Sequence, residues 1–146
     1  MTATITITNP ILRGMNPDPS WIWDDEFQRI VLVTSTFELV PGLPIYVSED
    51  MTCWKHVSNV IDADLARRLL IPFVDDSGGV YAPTLRRIHG KYVIACTIAR
   101  LDDRRAMEGG CTESELMRFH AAEGNFILEA DSIEGPWHGP FWIEGA

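Results

Sequence analysis

Asp18 stands between two prolines in the segment Asn16-Pro17-Asp18-Pro19-Ser20. Proline lacks an N–H and restricts the residue before it to extended backbone. A carboxylate on so stiff a segment, just ahead of a strand, suits a general base that must hold a water in one position. The plain alternative is an aspartate in a proline-rich turn, because Asn, Asp, Pro and Ser are all common turn residues. Spacing by itself favours the turn. The other reactive side chains form no constellation. The four histidines, His56, His89, His120 and His138, include no pair with metal-ligand spacing. The three cysteines, Cys53, Cys96 and Cys111, are odd in number and lack a Cys-x-x-Cys pair, so neither a disulfide framework nor a zinc site is indicated. No glycine-rich phosphate loop follows a strand, and no serine sits on a nucleophile elbow. No metal and no cofactor are expected.

The composition narrows the partners. Hydrophobic residues make up 46% of the 146 residues and charged residues 23%, enough apolar material for a core. The formal net charge of -9 repels phosphate backbones, which argues against a nucleic-acid partner. The first eight residues alternate polar and apolar without a basic region or an apolar run, so they do not read as a signal peptide. No stretch is long enough to span a membrane. The expectation is an intracellular, cytoplasmic protein.

The elements that must position Asp18 are strands. Residues 4–8 alternate with period two, and residues 21–23 are short and aromatic, with Asp24-Asp25-Glu26 as a turn. Residues 29–35, 45–48 and 54–60 read as further strands. Residues 62–70 suit one or two helical turns capped by Asp62. Gly78-Gly79 breaks the chain again. Residues 85–88, a His89-Gly90 turn and residues 92–98 follow as a hairpin. The polar stretch 100–123 reads as a long loop with a short helix at 114–120, and loops that long are usually functional or mobile. Strand pattern resumes at 126–130 and closes at 137–143.

An internal repeat organises these strands. Pro19-Ser20, strand, turn and Ile30-Val31-Leu32-Val33-Thr34 are echoed by Pro83-Thr84, strand, turn and Tyr92-Val93-Ile94-Ala95-Cys96-Thr97. Each copy runs on to a third strand ending near an aspartate and then a tryptophan, Asp50 with Trp54 and Asp131 with Trp137. Each copy is a four-stranded antiparallel unit. Such units repeated radially make a β-propeller, typically of about four to eight blades. The fold class is therefore all-β, a partial propeller of two blades, the first at about residues 16–62 and the second at about 80–146. A small two-sheet sandwich is the alternative. In a propeller the start of the innermost strand faces the central channel, which is where Asp18 would lie.

The order of the short motifs resembles glycoside hydrolase family 43, in its β-xylosidase and α-L-arabinofuranosidase branch. Asn9-Pro10-Ile11-Leu12, Asn16-Pro17-Asp18-Pro19-Ser20, Thr34-Ser35-Thr36-Phe37-Glu38 and Pro41-Gly42-Leu43-Pro44-Ile45 look like the start of that family. Ser48-Glu49-Asp50 with Trp54, Gly78-Gly79-Val80-Tyr81-Ala82-Pro83-Thr84, Asn125-Phe126-Ile127 and Gly135-Pro136-Trp137 resemble its later elements in the same order. The resemblance implies a five-bladed propeller that cleaves terminal xylose or arabinofuranose from hemicellulose oligosaccharides with inversion. It implies Asp18 as the general base and Phe37 and Tyr81 as aromatics contacting the sugar. Tyr81 stands where the family usually has Trp, which keeps a flat ring but adds a hydroxyl. By residue type alone, both aromatics fit core packing as well.

An inverting glycosidase needs two carboxyl groups about 6.5–9.5 Å apart, one activating water and one protonating the leaving oxygen. The resemblance implies that the acid and a pKa-tuning aspartate belong to later blades. No matching motif follows Trp142, and Glu134-Gly135-Pro136 falls in the slot of an outer-strand turn. The chain thus reads as the N-terminal part of the enzyme, holding one catalytic carboxylate and inactive alone. Two other readings stay open: a remnant that binds sugar weakly without hydrolysis, and an unrelated all-β interaction domain.

Overall fold

The computed structural model describes residues 4–145 and contains two four-stranded antiparallel sheets. Strands β1 (Ser20–Asp24), β2 (Arg29–Val33), β3 (Gly42–Ser48) and β4 (Lys55–Ile61) form the first in chain order. Strands β5 (Val74–Ile88), β6 (Lys91–Leu101), β7 (Asn125–Ala130) and β8 (His138–Trp142) form the second. Local turn chemistry fixes this order. His89 and Gly90 both have positive φ, 50° and 84°, the type I′ geometry whose twist matches a two-residue hairpin between β5 and β6. Pairing of β1 with β2 runs from Ser20↔Val33 to Asp24↔Arg29.

The sheets meet face to face. Val31, Val33 and Ile45 of the first and Val80, Leu85 and Ile94 of the second are each 0% exposed and share one apolar cluster. Each such side chain contributes on the order of 1.5–3 kcal/mol by leaving water. The first strands, β1 and β5, lie side by side, the arrangement of adjacent blades around a channel. The molecule is all-β in its sheets, and they are two propeller blades.

Four local expectations are corrected. Residues 4–8 form no strand; they are exposed, and no neighbouring strand supplies a ladder partner. Residues 1–3 of the alternating N-terminus lie outside the described residues. Gly78-Gly79 does not break the chain: β5 runs through it, with register shifts between Val74 and Gly79 and between Tyr81 and Thr84. Glycine at such a point bends a strand without ending it.

In the stretch 100–123 the helix expected at 114–120 is present, as part of Glu113–Ala121, but the rest is not one long loop. β6 continues to Leu101, and helices α2 (Asp103–Glu108) and α3 (Glu113–Ala121) follow, after the earlier α1 (Ala63–Arg68). Asp102 caps α2, and Thr112 with Glu115 forms a reciprocal capping box on α3. Ala106, Leu116 and Phe119 are buried against the end of the second blade. Asp62 does cap α1, accepting from Leu65 N at 2.8 Å.

Asp24 is the fourth correction. It ends β1 rather than lying in the turn, and it is 0% exposed. The Tyr92 hydroxyl donates to its Oδ2, Arg87 Nη1 lies 2.5 Å from its Oδ1, and Arg29 Nε stands 3.8 Å from Oδ2. Arg87 also pairs with Glu26. Burial, followed by the hydrogen bond to Asp24, pushes the Tyr92 hydroxyl above its ordinary pKa. A buried carboxylate is tolerable only when paired in this way. Asp24 therefore ties the first blade to β5 and β6 of the second.

Candidate functional site

The site is assembled at the start of β1, where the two blades touch. Asp18 has φ 50°, so it is left-handed rather than extended as its flanking prolines predict. Aspartate is among the few non-glycine residues that adopt this region readily, because its short side chain can hydrogen-bond locally. Here the bonds that hold it come from residues distant in the chain. Ser35 N donates to Pro17 O at 3.0 Å, and Ser35 Oγ donates to Asp18 Oδ2 at 2.7 Å. Ala82 N lies 3.4 Å from the same Oδ2. The first partner follows β2 in the first blade, and the second lies on β5 of the other. Asp18 is exposed, and its Oδ1 has no hydrogen-bond partner among the described residues.

Phe37 and Tyr81 come together beside this carboxylate. Phe37 N donates to Val80 O at 3.2 Å and Val80 N donates to Phe37 O at 2.9 Å, an antiparallel bridge between the blades. This approach leaves no room at Gly79: a Cβ there would sit 2.3 Å from Phe37 O, and its φ is +97°. Only glycine fits both conditions. The bridge places the Phe37 and Tyr81 rings edge to face, centroids 5.1 Å apart and planes at 72°. Both residues are half-buried, so neither is simply core. The Tyr81 hydroxyl donates to Ser77 O, which holds the ring from its far end. Beneath it, Cys96 Sγ contacts Tyr81 O at 2.9 Å. Burial pushes the Cys96 thiol up to about 12, so it is a packed neutral group and not a nucleophile.

The three residues singled out in the sequence, Asp18, Phe37 and Tyr81, thus share one patch at the blade boundary, Asp18 meeting the chain through Ala82 next to Tyr81. Ser35 was not singled out. Its signal was its place two residues beyond β2 and two before Phe37, but a serine between two threonines carries no chemical mark in a sequence. The histidines stay apart from the site. His120 pairs with Asp103 at 2.9 Å, and His56 lies 3.4 Å from Asn59. Among the described residues no three His, Cys, Asp or Glu side chains gather as a metal site, and no helix is long and apolar enough to cross a membrane.

The patch can do one piece of chemistry by itself. An exposed carboxylate held through one oxygen, with the other left without a partner among the described residues, can accept a proton from a water positioned there. Flat apolar rings next to polar groups also suit the face of a sugar.

The sequence model of glycosyl hydrolases family 43 matches residues 7–146. A non-reducing end α-L-arabinofuranosidase of Bacteroides ovatus is 36% identical over 140 residues, covering 94% of this chain and 22% of that protein. A xylan 1,3-β-xylosidase of a Vibrio species is 34% identical over 139 residues, with 94% and 22% covered. The solved structure of Bacteroides ovatus xyloglucan PUL GH43B superposes with a TM-score of 0.73 at 33% identity, over 95% of this chain and 23% of that one. The chain spans 22% of the length of these curated relatives.

Proposed function

This chain belongs to glycosyl hydrolase family 43, and from that premise we propose that it supplies two blades and the general base of a hydrolase acting on terminal xylose or arabinofuranose. The observation that carries the proposal is the Asp18 carboxylate, exposed, anchored through Oδ2 and free at Oδ1. The similarity to an arabinofuranosidase and a xylosidase supports the substrate class. Phe37 and Tyr81 would wall the subsite of the terminal sugar, their exposed edges meeting its faces.

The reaction proposed is a single displacement. A water between Asp18 Oδ1 and the anomeric carbon gives its proton to Asp18 as its oxygen bonds that carbon. The glycosidic C–O bond breaks on the opposite face, and a carboxylic acid protonates the leaving oxygen. Displacement from the opposite face inverts the anomeric centre. The acid, and the aspartate that tunes it, are assigned to blades outside these 146 residues. The domain is accordingly proposed as the first part of a propeller, with blades at about 16–62 and 80–146.

Nitrophenyl β-D-xylopyranoside and α-L-arabinofuranoside test the division of labour. The polypeptide completed with the remaining blades is expected to release nitrophenol from at least one of them, and the 146-residue chain from neither. Turnover by the purified 146-residue chain above that of its Asp18→Asn variant would contradict the assignment of the acid to other blades.

A further inference from the structure

We infer that Ser35 is a positioning residue for the general base, fixing which oxygen of Asp18 meets the water; the inference rests on the general-base reading above. Three hydroxyls stand in a row after β2, on Thr34, Ser35 and Thr36, and all three residues are buried. They do different things. Thr34 Oγ1 is buried without a partner among the described residues, and Thr36 Oγ1 accepts from Leu43 N at 3.3 Å. Only Ser35 reaches the carboxylate, at 2.7 Å. Ser35 is itself 0% exposed, so its single proton has no water to go to. The alternative acceptor, Pro17 O, is 3.4 Å away. A hydroxyl facing an ionised carboxylate at the shorter distance donates to it, and such charge-assisted bonds are the stronger kind.

The consequence is directional. Ser35 Oγ and Ala82 N both lie on Oδ2. That oxygen is occupied, and the carboxylate plane cannot turn without breaking the 2.7 Å bond. Oδ1 is left as the one oxygen with open lone pairs. The backbone reinforces this, because Ser35 N binds Pro17 O and so fixes the residue immediately before Asp18. A base must be held within about 0.5 Å of its productive position to be effective. Ser35 holds it from a buried site that touches neither water nor sugar.

The test has a geometric part and a kinetic part. In the 146-residue chain, Ser35→Ala is expected to shift the amide resonance of Ala82, because the carboxylate beside it is released. In the completed polypeptide, Ser35→Ala is expected to lower kcat about 10- to 100-fold, the worth of one hydrogen bond to a charged group, with KM changed by less than about twofold. In the Asp18→Asn background the same substitution is expected to cost nothing further, since the group it positions is gone. An unshifted Ala82 amide, wild-type kcat in Ser35→Ala, or an equal loss of kcat in both backgrounds would overturn the positioning role while Asp18→Asn stays impaired. Full activity in Asp18→Asn is the separate outcome that overturns the general-base reading, and this inference with it.

Discussion

The carboxylate of Asp18 is set by a few short contacts rather than by its prolines. Its exposed left-handed conformation is held by Ser35 on one side and the second blade on the other. Asp18, Phe37 and Tyr81 could be picked out from motif order, because each keeps a recognisable neighbour in the chain. Ser35 and Asp24 could not, because their partners lie far along the sequence: Asp24 meets Arg87 and Tyr92, and a short acidic run looks like any solvated turn. The cysteines give a prediction at this scale. Cys53 is exposed, whereas Cys96 and Cys111 are buried. At pH 8 a thiol reagent is expected to label one cysteine, Cys53, in the native chain and all three after unfolding. The Cys96 thiol is raised by burial from 9.0 to about 12. Its neutral form is the one the fold keeps, so its contribution is complete below pH 9 and is lost as pH rises from 9 towards 12. Denaturant melts at pH 8 and pH 11 are expected to show a larger alkaline loss of stability in the wild type than in Cys96→Ala.

At the scale of elements, the bridge between Phe37 and Val80 decides whether a site exists. It joins the segment after β2 to β5, and it brings the two rings into contact. Gly79 permits it. Gly79→Ala would force a Cβ to 2.3 Å from Phe37 O in a backbone conformation that L residues rarely adopt. The expected result is a destabilisation of about 2 kcal/mol or more, read as a lower denaturant midpoint, together with loss of the Phe37–Tyr81 contact in the aromatic NMR spectrum. A midpoint equal to wild type would mean that the blades do not meet there. Most strands were legible because β-branched runs alternate with turn residues. The β5–β6 hairpin was marked by His89-Gly90. Helix α2 was obscured for a physical reason, since a short polar helix that buries only Ala106 leaves a thin periodicity, whereas α3, expected at 114–120, is found at Glu113–Ala121. The Thr112–Glu115 capping box was the available signal.

At the scale of the whole molecule, the two blades share one apolar core and the buried Asp24 cluster, yet apolar surface remains open. Trp21 is 56% exposed and Trp23 43% exposed on one side of β1, and Phe141 of β8 is 51% exposed. Exposed apolar patches of this kind mark surfaces that pack against something else, which accords with relatives more than four times as long as this chain. The repeat made the blade architecture readable in the sequence, because each copy carries its own proline, turn and tryptophan. The pairing of blades was not readable, since it depends on contacts such as Ser35 with Asp18 and Phe37 with Val80 that no local pattern encodes. The central claim is that Asp18 activates the water in an inverting hydrolysis. Its most direct test follows the anomeric proton by NMR as the completed polypeptide, with and without Asp18→Asn, cleaves nitrophenyl β-D-xylopyranoside and α-L-arabinofuranoside. From whichever glycoside is cleaved, the first sugar released is expected to have the inverted anomeric configuration, and Asp18→Asn is expected to slow its appearance by about 10²- to 10⁴-fold with KM little changed. A first product of retained configuration, or an undiminished rate in Asp18→Asn, would contradict that claim.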